Sequence, residues 1–189
     1  MKKVLKDLLF GVYAGLAIAL GGLLNIVAKT LLGNVGLPYL ANIVGSLLFP
    51  VGLTLVCYLG LNLFTGKIGY ILDNDKKYAS FLFIVYIGNI IGSLIAGFIA
   101  LAIFKNVPSL YNVASTIGNN KANSVNNVLS AVQTFAGSCL CGALVYLAVY
   151  CYKTFKRHIF KILGIFISIA LFVYFGFDHC VANLFYFTF

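Results

Sequence analysis

The sequence predicts an all-α fold, a polytopic bundle of membrane-spanning helices. Its 189 residues are 62% hydrophobic and only 9% charged, whereas a soluble domain is about 45–50% apolar and about 25% charged. The apolar residues also form long continuous runs, and an α-helix needs about 20 such residues to cross the hydrocarbon core of a bilayer. These runs are too long and too uniformly apolar for the alternating strands of a membrane β-barrel.

Five segments have the length of a membrane span. They are residues 8–31, 39–65, 79–104, 129–152 and 159–187. We expect them to form a single transmembrane domain over residues 1–189. The basic start MKKVLKD also fits a signal peptide, but the apolar run that follows it continues to Val27. A usual signal core is shorter, so a first span is favoured.

The connections are short except for residues 105–128, which are rich in Asn and Ser and contain Pro108 and Gly118 as helix breakers. We expect an external loop that is partly folded over the protein. In the third segment, GNIIG at residues 88–92 spaces two glycines four residues apart. This spacing allows helices to approach closely.

The Lys and Arg residues predict the orientation in the membrane. With the N-terminus in the cytoplasm, ten of the 13 lie inside and three outside, in agreement with the positive-inside rule. The inside set is Lys2, Lys3, Lys6, Lys67, Lys76, Lys77, Lys153, Lys156, Arg157 and Lys161, and the outside set is Lys29, Lys105 and Lys121. We therefore expect a multi-pass plasma-membrane protein surrounded by lipid. Because the net charge of +9 is not clustered on a soluble face, it does not indicate a nucleic-acid partner.

The five cysteines lie in apolar segments, and their number is odd, so they predict small buried side chains rather than disulfides. Cys139 and Cys141 would point about 200° apart on a helix and do not form a metal site. An intramembrane enzyme that uses Cys180 or His179 is an alternative, but adjacent side chains on a helix do not face each other. We expect no enzymatic activity, no metal and no cofactor.

The second and fifth segments are interrupted. Pro50 removes a helical hydrogen bond and Gly60 weakens the helix after it, while Gly176 and a polar cluster interrupt the fifth segment. Broken helices in corresponding positions of two halves indicate an inverted repeat with a site near the membrane midplane. The triplet NLF occurs in both segments, at residues 62–64 and 183–185.

The polar cluster in the fifth segment is the main candidate site. Residues 175–185 read FGFDHCVANLF and hold Asp178, His179 and Asn183 in an apolar environment. Ionisable groups inside a membrane are costly and usually face a pathway or the bundle interior. Neighbouring helical side chains point about 100° apart, so we expect one of Asp178 and His179 to face a pore and the other to bind backbone N–H groups. The alternative is a buried histidine with no transport role.

These residues carry a family resemblance. FDHCVAN at 177–183 resembles the F-E-H-S-[VI]-A-N motif of the formate/nitrite transporter family, and NLFTG at 62–66 resembles its [ED]-L-F-T-[GS] motif. The two motifs lie in the fifth and second segments, as they do in that family. YIGNIIG at 86–92 and LVYLAVY at 144–150 resemble its third and fourth helices. The resemblance extends from about residue 8 to the end.

The resemblance implies an aquaporin-like inverted repeat with broken second and fifth helices, assembled as a homopentamer with one pore in each protomer. The family passes small monovalent anions such as formate, nitrite, hydrosulfide or lactate. By motif, Thr65 lies on the loop that breaks the second helix, and His179 faces it at the pore centre. Asn183 follows in the same motif as His179.

The resemblance also implies apolar constrictions, with Phe49 and Leu53 on one side of the pore centre and Phe172 on the other. An apolar constriction excludes hydrated ions, because a bare charge in hydrocarbon is costly. Imidazole has an ordinary pKa near 6.5, so His179 is suited to polarise or protonate an arriving anion. Thr65 would orient that anion, and helix ends at the breaks would offer backbone N–H groups. We hypothesise proton-coupled passage through this central histidine.

The sequence departs from the family pattern at several positions. Asn62 stands where the family has an acidic residue, Asp178 replaces Glu and Cys180 replaces Ser. Gly142 occupies a position where the family often has Asn, which would remove a donor from the pathway. Lys121 is the nearest match to a family lysine, but it lies about five residues away, so the resemblance transfers that role only weakly.

The family has six spans with both termini inside, whereas five are predicted here. We interpret the sequence as a C-terminally short member or a fragment that lacks the sixth span. The alternative function is a non-transporting truncated or accessory membrane subunit.

Overall fold

The computed structural model describes residues 1–189 and consists of α-helices without β-strands, so the predicted all-helical fold is confirmed. The helices are α1 Lys2–Asn34, α2 Pro38–Leu48, α3 Pro50–Tyr58, α4 Phe64–Lys67, α5 Lys77–Phe104, α6 Pro108–Ala122, α7 Val128–Thr154, α8 His158–Tyr174 and α9 Cys180–Tyr186. A 3₁₀ turn at Ile68–Asp73 follows α4. Helices α1, α5, α7 and the α2–α3 pair are long and apolar enough to cross a membrane, and α8, with 17 residues, is shorter.

Two of the predicted spans are each divided among several helices. The second comprises α2, α3 and α4, and the fifth comprises α8 and α9. Between α2 and α3, Pro50 occupies the first turn of the new helix. Proline is tolerated there because its missing N–H would have no helical partner. The α2–α3 pair therefore continues in nearly one direction, and the larger interruption comes after Tyr58.

Helix α3 ends at Tyr58 in a Schellman motif. Gly60 has a φ of +64°, a conformation that costs a side chain about 1–2 kcal/mol. The Gly60 N–H donates to the Cys57 carbonyl at 3.3 Å, and the Leu61 N–H donates to the Val56 carbonyl at 2.9 Å. These bonds satisfy carbonyls at the helix end. The chain then runs extended until α4 begins.

Helix α8 ends in the same way. Gly176 has a φ of +73°. Its N–H donates to the Val173 carbonyl at 3.1 Å, and the Phe177 N–H donates to the Phe172 carbonyl at 3.0 Å. The next helix begins four positions after the glycine in both breaks, at Phe64 after Gly60 and at Cys180 after Gly176. The two breaks therefore have the same local geometry.

This common geometry fixes the register between the two breaks. Counting from the glycines Gly60 and Gly176, Asn62 corresponds to Asp178. The repeated NLF triplet would instead match Asn62 with Asn183, which is already inside α9. The two NLF triplets therefore do not occupy equivalent positions in the two breaks, and their recurrence is not evidence for the repeat.

Glycines bring α1 and α5 into backbone contact. A Cβ on Gly88 would lie 2.5 Å from the Leu8 carbonyl oxygen, and one on Gly11 would lie 2.8 Å from the Val85 carbonyl oxygen. Gly92 lies against Val12 in the same way. The close helix approach predicted from GNIIG is confirmed.

The two halves of the chain interlock through their short helices. Helix α4 packs against α7, and α9 packs against α1 and α5. Helix α6 covers α9 at Gly118, where a Cβ would lie 2.5 Å from the Tyr186 carbonyl oxygen. The expectation of a loop broken at Gly118 was therefore wrong, because Gly118 lies inside a helix and is a point of close packing.

Candidate functional site

The two helix breaks bring Thr65 and His179 together. Thr65 Oγ1 lies 2.9 Å from His179 Nε2, although the residues are 114 positions apart in the chain. Both side chains are buried, with exposed fractions of 9% and 4%. Thr65 is in the first turn of α4 rather than on the preceding loop, so its expected placement on the loop is corrected. His179 caps the start of α9.

The hydrogen bonds of His179 define its tautomer. The Ala182 backbone N–H donates to Nδ1 at 3.0 Å, so Nδ1 carries no proton. In a neutral ring the proton is then on Nε2, which donates to Thr65 Oγ1. The Thr65 hydroxyl hydrogen stays available for another acceptor. An imidazolium would place two N–H donors against each other at Ala182.

Aromatic rings enclose one side of this pair. The Phe172 ring stacks on His179 with centroids 5.7 Å apart, and Phe49 meets Phe172 edge-on at 5.8 Å. Phe49 and Phe172 therefore form one constriction together, and their expected placement on opposite sides of the centre is wrong. Leu53 lies beside them on a small central cavity of about 10 Å³.

A larger cavity lies on each side of this centre. The Lys121 cavity, of about 230 Å³, extends from Lys121 to Phe49, Phe172 and His179. The Lys153 cavity, of about 220 Å³, extends from Lys153 to Leu63. Phe49 and Phe172 also line the central cavity, as does Leu63 from the other side. The arrangement is two vestibules that are separated by apolar side chains.

Leu63 was not among the predicted site residues. It is 2% exposed and lines both the central cavity and the Lys153 cavity. It immediately follows Asn62 in the motif NLFTG, so its position next to a predicted site residue was the available signal. Leu63 is the apolar partner of the Phe49–Phe172 constriction on the other side of His179.

Asp178 binds side chains, and the backbone N–H that the sequence suggested for one of the two residues is bound by His179 instead. Asp178 Oδ1 lies 3.1 Å from Lys121 Nζ, in the one ion pair of the structure. Asn183 Nδ2 donates to the same oxygen at 2.8 Å. Lys121 also donates to the Gly176 and Phe177 carbonyls, both at 3.4 Å. Lys121 is thus integral to the break, despite its offset from the family position.

Asn89 anchors the other break and was not predicted as a site residue. It is fully buried. Its Nδ2 donates to the Gly11 carbonyl at 2.8 Å and to the Asn62 carbonyl at 2.9 Å. Its Oδ1 accepts from the Phe64 N–H at 2.8 Å. At each break one backbone N–H is therefore engaged by a side chain, that of Phe64 by Asn89 and that of Ala182 by His179.

Three other sequence expectations are revised. Asn62 contributes its backbone carbonyl to Asn89, with no side-chain hydrogen bond. Gly142 is on the exposed face of α7, and a Cβ there would have no neighbour within 4 Å, so a donor at this position would not face the cavities.

Two of the five cysteines are exposed, although the sequence predicted buried side chains. They are Cys139 and Cys180, and Cys180 directly follows the buried His179. No group of three or more His, Cys, Asp or Glu side chains is placed to hold a metal.

Comparisons with known proteins agree with this arrangement. The family model described as formate/nitrite transporter matches residues 1–189. A probable formate transporter of Methanothermobacter thermautotrophicus is 34% identical over 96% of this chain and 73% of its own length. The formate channel FocA of Haemophilus influenzae is 28% identical over 97% of this chain and 66% of its own length.

The structural similarity is equally extensive. A solved structure described as a pentameric formate channel with formate bound superposes with a TM-score of 0.82 at 30% identity, over 97% of this chain and 73% of that one. A second, described as an FNT family ion channel, gives a TM-score of 0.67 at 26% identity. The chain spans about two thirds to three quarters of the length of these relatives.

Proposed function

Because this chain belongs to the formate/nitrite transporter family, we propose that it is a channel that passes small monovalent anions such as formate, nitrite or hydrosulfide. The observation that carries the proposal is the buried contact between Thr65 Oγ1 and His179 Nε2, with a cavity on each side. Related proteins described as formate transporters or channels support a carboxylate substrate.

The pathway begins in one vestibule and crosses two apolar barriers. An anion that enters the Lys121 cavity meets Phe49 and Phe172 first, and one that enters the Lys153 cavity meets Leu63 first. A bare charge loses its hydration at such barriers, which is costly in a low-dielectric interior. Polar contacts at the centre are therefore required to offset the loss.

Thr65 and His179 supply these polar contacts. An anion at the centre would accept the hydroxyl hydrogen of Thr65 and would share the Nε2–H of neutral His179 with Thr65 Oγ1. Both donors are held in place, His179 by the Ala182 N–H and Thr65 by its position in the first turn of α4. Donors fixed in a dry site stabilise negative charge more strongly than donors in water.

The apolar barriers support proton coupling as part of this proposal. The anion crosses more readily as its neutral acid, which forms by adding one proton from the solution or from Nε2. Loss of the Nε2 proton must be matched by proton uptake at Nδ1, which breaks the bond from the Ala182 N–H. We therefore expect His179 to act mainly by polarising the substrate, with the net proton entering alongside the anion. Flux should rise as pH falls.

The assembly is proposed to be a homopentamer in a lipid bilayer. The solved relative described as pentameric supports the number of subunits. The many exposed apolar side chains of the helices support contact with lipid or with neighbouring subunits. Chemical cross-linking in native membranes should give a ladder that ends at five subunits. A ladder that ends at two or three subunits would contradict the pentamer.

The test is anion flux into liposomes that contain the purified protein. We expect flux of at least one of formate, nitrite and hydrosulfide, reduced about 10–100-fold by His179→Phe or Thr65→Val, as for the loss of a hydrogen bond to a charged group. The matched control is His158→Phe, because His158 is the only other histidine and is exposed.

Two results would overturn parts of the proposal. Undiminished flux in His179→Phe would remove the role of the central histidine while leaving channel activity intact. A wild-type protein that is folded but passes none of the three anions would instead favour a non-transporting or accessory membrane subunit.

A further inference from the structure

Two side chains of α1 line the Lys121 cavity without a role in the pore centre. Asn25 and Lys29 are one helical turn apart, so they share a face of α1. Both line the cavity that also reaches Phe49 and His179. A ligand that enters this vestibule therefore meets them before it reaches the aromatic constriction.

Asn25 has a buried donor that nothing in the protein satisfies. The residue is 2% exposed. The Tyr186 hydroxyl donates to its Oδ1 at 3.4 Å, which identifies Nδ2 as the free end of the amide. Nδ2 has no hydrogen-bond partner. Buried polar atoms without a hydrogen-bond partner are rare in proteins, and a bound ligand or water is a common explanation for one.

Gly45 of α2 keeps space open beside both groups. A Cβ at Gly45 would lie 2.9 Å from Asn25 Nδ2 and 3.2 Å from Lys29 Cγ. The amide and the stem of the lysine thus face the same small area of α2. A side chain at position 45 would narrow the space between them.

The charges around this position favour an anion. The Lys121–Asp178 contact is the one ion pair in the structure, so Lys29 has no carboxylate within 4.0 Å. Asp178 also lines the cavity, but its carboxylate is held by Lys121 and Asn183. An ammonium without a carboxylate partner and an amide N–H without an acceptor thus line one cavity. Together they offer donors to the two oxygens of a carboxylate, and a single ammonium balances one negative charge.

We propose that Asn25 and Lys29 form a second anion-binding site, in the Lys121 cavity, that holds a small monocarboxylate before it passes Phe49 and Phe172. The site rests on the proposed function for its role in transport. It concentrates substrate at the entrance and does not contact the anion at His179. It therefore affects the concentration dependence of uptake and leaves the maximal rate to the centre.

The transport test uses formate supplied from the Lys121-cavity face at low ionic strength. Asn25→Leu and Lys29→Gln should each raise KM about tenfold, as for one lost hydrogen bond to a charged group, with a maximal rate within about twofold of wild type. Gly45→Ala should raise KM in the same direction without changing any charge. The control is Lys105→Gln, an exposed lysine outside the cavity, which should leave KM unchanged.

A binding measurement keeps the inference independent of transport. In His179→Phe, where the pore centre is altered, formate should still raise the unfolding temperature in proportion to its occupancy. The added change Lys29→Gln or Asn25→Leu should remove that increase, and Lys105→Gln should not. An unchanged KM in both α1 variants, or equal formate stabilisation with and without them, would overturn the site. Absence of wild-type flux with retained formate stabilisation would overturn the channel proposal alone.

Discussion

Lys121 contacts the break between α8 and α9, including Asp178, which is 57 residues further along the chain. Its ammonium lies 3.1 Å from Asp178 Oδ1 and within 3.4 Å of two backbone carbonyls at the end of α8. A cation near the carboxyl end of a helix is stabilised by the carbonyl dipoles. Asp178 in turn accepts from Asn183 Nδ2. One lysine thus stabilises both the end of α8 and the start of α9.

We predict that Lys121→Met destabilises the protein by about 2 kcal/mol. The side chains of Lys121 and Asp178 are only 15% and 18% exposed, and hydrogen bonds to charged groups contribute about 1.5–3 kcal/mol. The double variant Lys121→Met with Asp178→Asn should recover part of that loss, since no unpaired carboxylate would remain. Denaturant titration in detergent, followed by circular dichroism, measures both. Additive losses in the double variant would show that the pair is not coupled.

The central pair could be predicted at this scale, because Thr65 and His179 lie in short motifs with a specific resemblance. Lys121 was assigned only weakly, since an alignment by sequence offset does not account for α6, which carries the ammonium to the break. The resemblance placed Phe49 and Phe172 on opposite sides of the centre, and nothing in the sequence shows that their rings touch. Side-chain contacts of this kind depend on packing between helices.

At the scale of elements, the two breaks follow one design. Each long segment stops at a glycine with positive φ, continues in an extended conformation and restarts as a short helix. The first restart is held by Asn89, and the second by Lys121 and His179. The glycine thus sets the point of interruption, and the polar side chains satisfy the backbone that it exposes.

We predict opposite signs for three glycine substitutions. Gly60→Ala and Gly176→Ala should each destabilise the protein by about 1 kcal/mol or more, because alanine is strained at positive φ. Gly142→Ala should instead be neutral or stabilise by up to about 1 kcal/mol, since Gly142 is helical and its Cβ would meet nothing within 4 Å. Thermal unfolding in detergent compares the three, and equal effects at all positions would contradict the assignment.

The interruptions themselves could be anticipated at this scale, since Gly60 and Gly176 stand inside otherwise apolar runs. Helix α6 could not, because its Asn-rich and Ser-rich sequence lacks a long apolar face. The helix begins at Pro108, and Gly118 lets it lie directly on the backbone of Tyr186. Tertiary contact decided the local structure there, as it often does where intrinsic propensity is weak.

At the scale of the whole molecule, the distribution of positive charge predicts the orientation. With the N-terminus inside, the Lys153 cavity opens toward the cytoplasm and the Lys121 cavity opens to the outside. Asp75 and Asn126 are exposed residues near opposite ends of the bundle, between α4 and α5 and between α6 and α7. They are suitable reporters of sidedness.

We predict that, in a variant with the five native cysteines replaced by serine, Asn126→Cys reacts with a membrane-impermeant maleimide added to intact cells. Asp75→Cys should react only after the membrane is opened, because the positive-inside rule places it in the cytoplasm. Labelling followed by a mass shift on a gel measures both. The reverse pattern would mean that the N-terminus is outside.

The contact between Thr65 and His179 also has a consequence for biosynthesis. The two residues are 114 positions apart, and α9 packs against α1 and α5 from the first half. A ribosome must therefore deliver nearly all of the described chain before the central hydrogen bond can form. Until then α4 has no imidazole opposite it, and Asn89 holds the first break alone. Helices α1 and α5 are therefore synthesised well before α9, and α9 packs against them last.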